Sequence, residues 1–163
     1  MRCGAAVRAL IGLGANLGER ERQIEGALEA LAGLGRLVAR SRLYEYPALL
    51  PPGDRRPQPP YLNAVALLVT DLAPLRLLGA LQAIERRFGR DRRREGGRWR
   101  PRTLDLDLLA VEGLVVETPR LVLPHPRMHE RPFVLRPLLE VWPQWVHPRL
   151  GLDVPALLAR LSR

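Results

Sequence analysis

The amino-acid sequence predicts an α+β fold, a sandwich in which two helices pack on one antiparallel sheet. Apolar stretches typical of strands and amphipathic stretches typical of helices follow one another as strand, helix, strand, strand, helix, strand. That order is the split β-α-β arrangement of ferredoxin-like sandwiches. The composition, 47% hydrophobic and 26% charged, is typical of a globular chain. The length of 163 residues fits a single domain spanning 1–163.

The first half of the chain supplies one helix between two strands. Residues 5–14, "AAVRALIGLG", predict a strand that ends at a glycine-rich turn. Residues 18–35 predict a helix, because apolar residues recur at helical spacing and two glycines follow the last of them. A second strand is expected over 36–46. Residues 47–60 carry six prolines and therefore predict a loop.

The second half repeats the pattern and adds to it. Residues 61–70 predict an apolar strand, and residues 73–88 predict an amphipathic helix with proline in its first turn. Residues 103–113, "TLDLDLLAVEG", predict the last strand of the sheet. Three additions are expected after it: a strand at 114–118, a proline-interrupted short helix within 126–145, and a helix at 152–162.

The charge of the chain favours an anionic partner. The formal net charge is +9, and all 26 basic residues are arginine. Such a surplus suits nucleic acid, phosphorylated metabolites or an acidic membrane face, and arginine binds phosphate through a bidentate fork. A GC-rich coding bias explains the same composition, so function has to be inferred from where the arginines lie. The lack of lysine excludes a Walker phosphate loop.

The sequence predicts a soluble, cytoplasmic protein. Cys3 is the only cysteine, so neither an internal disulfide nor a thiolate metal cluster can form. No apolar run reaches the length of a signal core or of a membrane span.

Two carboxylates stand out on the predicted strand 103–113. Side chains alternate along a strand, so Asp105 and Asp107 share one face while the leucines between and beside them share the other. At a spacing of roughly 6.5–7 Å, converging carboxylates can hold one Mg²⁺ or bridge two. The alternative is that this face of the strand is merely solvated.

An arginine-rich segment precedes these carboxylates. Seven arginines lie between residues 89 and 102. Beside a metal-holding pair, such a segment could close as a lid over a polyphosphate and neutralise its charge. The alternative is a solvated basic loop that binds nucleic acid weakly or binds nothing. The arginines are Arg90, Arg92, Arg93, Arg94, Arg98, Arg100 and Arg102.

Other residues are weaker candidates for a site. His125 and His129 have the spacing of metal ligands on a helix, but a proline between them favours hydrogen bonding to a ligand or to the backbone. Asn63 lies in an apolar strand, and its amide suits the edge of a heterocycle. Three aromatic residues could stack on a planar ring or belong to the core: Tyr61, Trp99 and Phe133.

Several segments together resemble one family. "GLGANLGER" (12–20), "RWRPRTLDLDLL" (98–109) and "LPHPRMHERPFVLRPL" (123–138), supported by "YLNAV" and "QAIERRFGR", are similar to 6-hydroxymethyl-7,8-dihydropterin pyrophosphokinase. The resemblance covers most of the chain in the right order. It implies a folate-biosynthesis enzyme that transfers the pyrophosphoryl group of ATP to the pterin hydroxymethyl oxygen and releases AMP.

The resemblance also implies roles for individual residues. Asp105 and Asp107 would hold two Mg²⁺ ions, and Arg90, Arg92 and Arg102 would complete the catalytic set. The nucleotide would be met by Gln82, Glu85, Arg90, Arg92, Arg102, Arg120, His125 and Arg131. The pterin would be bound by Pro47, Leu49, Tyr61, Asn63, Trp99 and Phe133.

The sequence departs from the family pattern at a few positions. Arg100 replaces a glycine, the loop at 47–60 is long, and Tyr46 stands where a small polar residue is common. The expected partners are ATP and the pterin, with no nucleic acid and no membrane, and a monomer is expected. Two other functions remain as alternatives: a metal-dependent phosphohydrolase and a basic nucleic-acid-binding module.

Overall fold

The computed structural model describes residues 2–50, 52–89 and 104–162. Over these residues the chain forms a five-stranded sheet, a two-stranded hairpin and four α-helices, in an order that matches the predicted one. The strands are β1 (Arg2–Ala15), β2 (Arg36–Arg40), β3 (Tyr44–Tyr46), β4 (Tyr61–Leu72), β5 (Asp105–Val111), β6 (Val116–Glu117) and β7 (Val122–Leu123). The helices are α1 (Arg20–Leu31), α2 (Pro74–Arg87), α3 (Pro132–Val141) and α4 (Val154–Leu161).

The large sheet has the strand order β2-β4-β1-β5, and every pairing in it is antiparallel. β4 lies between β1 and β2, and β1 lies between β4 and β5, so both β-α-β units are split by a strand of the other. This is the topology of a ferredoxin-like sandwich, and the predicted fold class is confirmed.

The predicted strand 36–46 is divided in two. Both β2 and β3 pair with β4, but the register moves by one residue between Arg40↔Ala66 and Tyr44↔Asn63. Ser41 lies in the break, where its hydroxyl accepts a hydrogen bond from the backbone N–H of Val65 at 3.0 Å. The side chain thereby satisfies a buried amide at the step in the ladder.

The helices cover both faces of the sheet. α1 and α2 pack on one face, with Leu104, Leu106 and Leu108 of the β5 segment in that core. α3 and α4 pack on the other face. Pro137 lies inside α3 and is buried, so packing against the sheet offsets the helix-breaking cost of about 3 kcal/mol that proline carries.

A bulge interrupts β5 at Leu109. Leu10 pairs with Ala110 whereas Ile11 pairs with Leu108, so Leu109 is the extra residue on β5. Its carbonyl accepts a hydrogen bond from the backbone N–H of His125 at 2.7 Å. The bulge therefore fastens the segment after β7 to the edge of the sheet.

Candidate active site

A cavity of about 330 Å³ lies on the α3 side of the sheet, within the size range of small-molecule sites. β1, β4 and β5 form its floor. The end of β3, the proline-rich segment and the start of α3 form its wall. Its lining residues are Gly12, Leu13, Gly14, Tyr46, Pro47, Leu49, Gln58, Tyr61, Asn63, Ala64, Asp105, Asp107, Arg127, Glu130, Arg131, Phe133 and Val134.

The two predicted carboxylates lie on the floor. Asp105 pairs with Gly14 of β1, and Asp107 pairs with Gly12. Residues directly opposite in an antiparallel pair share a face, so the two glycines leave the strand beside the carboxylates without side chains. Both aspartates are half-buried and line the pocket.

A buried carboxylate on α2 holds the strand between these aspartates. Glu85 is 1% exposed and accepts a hydrogen bond from the backbone N–H of Leu106 at 2.9 Å. Since β5 is the edge strand of the sheet, this N–H faces away from the ladder with β1 and needs a partner. Glu85 therefore fixes the position of the β5 backbone between Asp105 and Asp107.

The other half of the floor carries an amide. Asn63 is 7% exposed and pairs with Gly14. A methyl group added at Gly14 would meet Asn63 Oδ1 at 3.2 Å and Tyr61 Cδ1 at 3.4 Å. Gly14 thus lies between the amide on β4 and Asp105 on β5, and its lack of a side chain lets both reach one cavity.

Aromatic rings and a proline form the wall. The Tyr46 and Phe133 rings have centroids 6.2 Å apart and planes tilted by 59°. Leu49 is 53% exposed at the rim beside Pro47. Burial raises the pKa of the Tyr46 hydroxyl, opposed by the nearby Arg136 charge, so this hydroxyl is neutral at physiological pH. The wall presents π-faces suited to a planar ring.

The proline-rich segment is held by donors from outside it. Asn16 Nδ2 donates to the Pro59 carbonyl at 3.1 Å, and Arg20 Nη1 donates to the Pro60 carbonyl at 2.8 Å. Prolines have no N–H, so such a segment cannot build a ladder of its own. These two side chains bring Gln58 to the pocket.

His125 lies next to the site in a neutral state. Burial and the positive charges of Arg131 and Arg127, opposed by Asp105, lower the pKa of its imidazole to about 4. The backbone N–H of Arg127 donates to His125 Nδ1 at 3.2 Å. The neutral ring therefore carries its proton on Nε2, which is a donor.

The predicted site residues divide into three sets. Those that line the pocket together are Pro47, Leu49, Tyr61, Asn63, Asp105, Asp107, Arg131 and Phe133. Four others are described but do not line the pocket. They are Gln82, half-buried on α2; Glu85, also on α2, whose carboxylate accepts from the β5 backbone; Arg120, exposed before β7; and His125. Those that lie outside the described residues are Arg90, Arg92, Trp99 and Arg102.

The contacts of His129 are with His147 and Glu130. Its ring contacts His147 edge-on at 5.5 Å, and its Nε2 is 3.6 Å from a Glu130 carboxylate oxygen. Residues 2–50, 52–89 and 104–162 contain no group of three or more His, Cys, Asp or Glu side chains that could hold an ion. Within the same ranges, no helix has both the length and the apolarity that crossing a bilayer requires.

Sequence reasoning missed several lining residues. Gly12 and Gly14 fall at the end of the predicted strand 5–14 with no signal of a site, and their alternation along β1 matches that of the aspartates. Gln58 lies in a segment with no periodicity, and Glu130 is the last residue of a short 3₁₀ helix, Met128–Glu130, that pattern reading does not predict. Arg127 had only its charge as a signal.

The carboxylate pair fits Mg²⁺ that arrives with a phosphorylated substrate. Mg²⁺ is commonly held by one or two carboxylates together with substrate phosphate oxygens, whereas a resident metal site needs more protein ligands. Asp105 and Asp107 supply two such carboxylates on one face of β5, and the pocket beside them has room for the substrate.

Comparisons with known proteins agree with this geometry. The family model described as 7,8-dihydro-6-hydroxymethylpterin-pyrophosphokinase (HPPK) matches residues 10–143. A 2-amino-4-hydroxy-6-hydroxymethyldihydropteridine pyrophosphokinase of Pseudomonas aeruginosa is 47% identical over 154 residues, which cover 93% of this chain and 90% of the relative. The protein of the same name from Methylorubrum extorquens is 45% identical over 157 residues, covering 95% of this chain and 94% of the relative.

Solved structures show the same fold. The wild-type HPPK-DHPS of Plasmodium falciparum, solved with pteroate, has a TM-score of 0.72 at 14% identity, covering 95% of this chain and 42% of the solved one. An HPPK-DHPS solved in complex with substrates has a TM-score of 0.70 at 13% identity and similar coverage. This chain spans less than half of those solved chains. On the family model and the relatives at 45–47% identity, the chain belongs to the 7,8-dihydro-6-hydroxymethylpterin-pyrophosphokinase family.

Proposed function

We propose that the pocket between the sheet and α3 is where this pyrophosphokinase transfers the pyrophosphoryl group of ATP to 6-hydroxymethyl-7,8-dihydropterin and releases AMP. One observation carries the assignment to this pocket. The acidic pair Asp105 and Asp107 and the amide-and-aromatic half around Asn63 open into the same cavity, separated only by the glycines of β1. A phosphate-bearing and a heterocyclic substrate would meet there.

Asp105 and Asp107 would hold the Mg²⁺ that accompanies ATP, and we propose two ions. Bound Mg²⁺ would neutralise charge on the phosphate oxygens and polarise the attacking and leaving oxygens. The contribution of the chain is to hold both carboxylates on one face, through the β1 ladder on one side and Glu85 on the other.

The pterin would lie against the wall. Asn63 offers a donor and an acceptor to the edge of a heterocycle, and Phe133 and Tyr61 offer ring faces. Pro47 and Leu49 at the rim would exclude water from the reacting atoms. Held so, the hydroxymethyl oxygen would point toward the carboxylate side, and positioning would supply a large part of the rate.

The phosphates would lie beside a cationic group and a neutral hydrogen-bond donor. Arg131 lines the pocket, and the neutral His125 beside it has a donor on Nε2. Roles for Arg90, Arg92 and Arg102 as phosphate contacts, and for Trp99 over the pterin, rest on the family resemblance of the sequence. Gln82, Glu85 and Arg120 are proposed nucleotide contacts on the same basis.

The test is AMP formation from ATP and Mg²⁺, with and without the pterin. We expect AMP only when the pterin is present. Asp105→Asn and Asp107→Asn should each lower kcat/KM by about 100-fold or more, since metal stabilisation of transition-state charge is worth several kcal/mol. Asp71→Asn, at the far end of β4 from the site, is the matched control and should keep wild-type activity.

The outcomes separate this function from its rivals. Pterin-independent release of inorganic phosphate would favour a phosphohydrolase. Salt-sensitive binding of nucleic acid that survives both aspartate substitutions would favour a basic binding module. Either result without pterin-dependent AMP would overturn the assignment.

A further inference from the structure

Tyr46 is part of the aromatic wall of the pocket. It is the last residue of β3 and directly precedes Pro47, and its Cα pairs with that of Tyr61 on β4. Phe133, in the first turn of α3, lies across from it. The side chain of Tyr46 lines the pocket and is half-buried.

The Phe133 ring contacts two groups. Its distance and tilt to Tyr46, 6.2 Å and 59°, lie within the range of favourable aromatic pairs. On its other contact, the Arg131 guanidinium carbon lies 5.5 Å from the ring centroid. The Tyr46 hydroxyl is 3.5 Å from the Pro132 carbonyl, which is too long to count as a strong hydrogen bond. The ring of Tyr46, rather than its hydroxyl, therefore makes the effective contact.

β3 is itself fastened to α3. Tyr44, on the same face of the strand, stacks on Tyr46 with centroids 6.5 Å apart and planes 25° apart. Its hydroxyl donates a hydrogen bond to Glu140 near the end of α3, and the backbone N–H of Arg42 donates to the same carboxylate at 3.2 Å. Since Glu140 anchors one end of the contact, Tyr46 is a fixed support rather than a mobile rim residue.

We propose that Tyr46 is a positioning residue for substrate recognition. It sets the orientation of Phe133 and thereby the affinity for the pterin. The inference rests on the proposed function, because it presupposes that a planar ring binds against Phe133. Tyr46 acts through its neighbour and not on the reacting phosphate, so its effect is confined to one of the two substrates.

The test compares two substitutions at one position. Tyr46→Thr removes the ring, and we expect KM for the pterin to rise about 2- to 10-fold, the range that an aromatic pair contributes. KM for ATP should stay within about twofold. Tyr46→Phe keeps the ring and should behave as wild type. Tyr44→Phe loses the bond to Glu140 but keeps the stacking on Tyr46, so the pterin KM should rise less than in Tyr46→Thr. Asp71→Asn, at the far end of β4, is the control outside the pocket. If Tyr46→Thr does not fold, Tyr46→Leu carries the same comparison.

A double-mutant cycle tests whether Tyr46 acts through Phe133. Phe133→Leu should weaken pterin binding, and adding Tyr46→Thr to it should weaken binding little further. Additive effects, parallel rises in both KM values, or an unchanged pterin KM in Tyr46→Thr would each overturn the inference. Wild-type enzyme measured alongside keeps the cases apart: no pterin-dependent AMP from wild type would refute the proposed function instead.

Discussion

Replacing Gly14 with alanine would add one methyl group between the strands that carry the two halves of the site. Gly14 pairs with Asn63 on one side and Asp105 on the other. The new Cβ would lie 3.2 Å from Asn63 Oδ1 and 3.4 Å from Tyr61 Cδ1. A contact of 3.2 Å is tighter than carbon normally tolerates, so the amide has to move by a few tenths of an ångström.

The size of the effect follows from that displacement. A misplacement of about 1 Å in a reacting geometry costs about 100-fold in rate, so a few tenths should cost about 3- to 10-fold in kcat/KM for the pterin. The free energy of unfolding should change little. Overpacking by the new methyl group destabilises the fold by about 1 kcal/mol. Replacing glycine with alanine also lowers the conformational entropy of the unfolded chain, which stabilises the fold by about 0.4–1 kcal/mol.

Steady-state AMP formation measures the effect, with each substrate varied at saturating levels of the other. Gly12→Ala is the control, because the nearest atoms to its new Cβ all belong to the Leu109 side chain, at 3.4 and 3.5 Å. That variant should stay within about twofold of wild type. Wild-type kinetics in Gly14→Ala, or equal losses in both variants, would refute the reasoning that the Asn63 amide is displaced.

Two further predictions concern ionisable groups, the buried Glu85 and the half-buried His125. Glu85→Ala leaves the N–H of Leu106 without its acceptor and should lower the free energy of unfolding by about 1–3 kcal/mol. Glu85→Gln keeps an oxygen at this position, so its free energy of unfolding should fall by less. Urea titration of both variants checks this order. The pKa of His125 is lowered to about 4, so its neutral form stabilises the fold above pH 6.5 and that stabilisation is lost as the pH falls toward 4. Wild type should lose about 3 kcal/mol more than His125→Asn over that interval, since the asparagine oxygen can still accept from the N–H of Arg127 without titrating. Parallel curves of unfolding free energy against pH for the two proteins would contradict the pKa assignment.

The alternation along β5 made the pocket-facing side of the strand predictable from sequence. A strand puts alternate side chains on opposite faces, so a leucine core on one side of "LDLDL" required both aspartates on the other, and the structure confirms this face assignment. The split β-α-β topology was predictable for a similar reason, because few sheets satisfy that order of strands and helices.

Other features left no signal in the pattern. The bulge at Leu109 changes which face of the sheet the following side chains occupy. It lies in an apolar run, so the hydrophobic pattern of the sequence does not reveal this change. Glu85 looked like a polar position on an amphipathic helix, and only the edge position of β5 shows why a carboxylate is buried there. The contact between Tyr46 and Phe133 joins residues 87 positions apart, and it depends on how α3 lies on the sheet.

The floor and the wall of the pocket are held by different kinds of interaction, and this separates what substitutions in each should do. The floor is built from strands in register, so the hydrogen-bonded ladder holds the backbones of Asp105, Asn63 and the glycine between them. The wall depends on side-chain contacts between β3 and α3, which a substitution can loosen without disturbing the ladder. Changes in the wall should therefore alter the affinity for the pterin and leave the affinity for ATP unchanged. Changes in the floor should instead act through the side chain that they displace or remove, which is the Asn63 amide in Gly14→Ala and a carboxylate in Asp105→Asn.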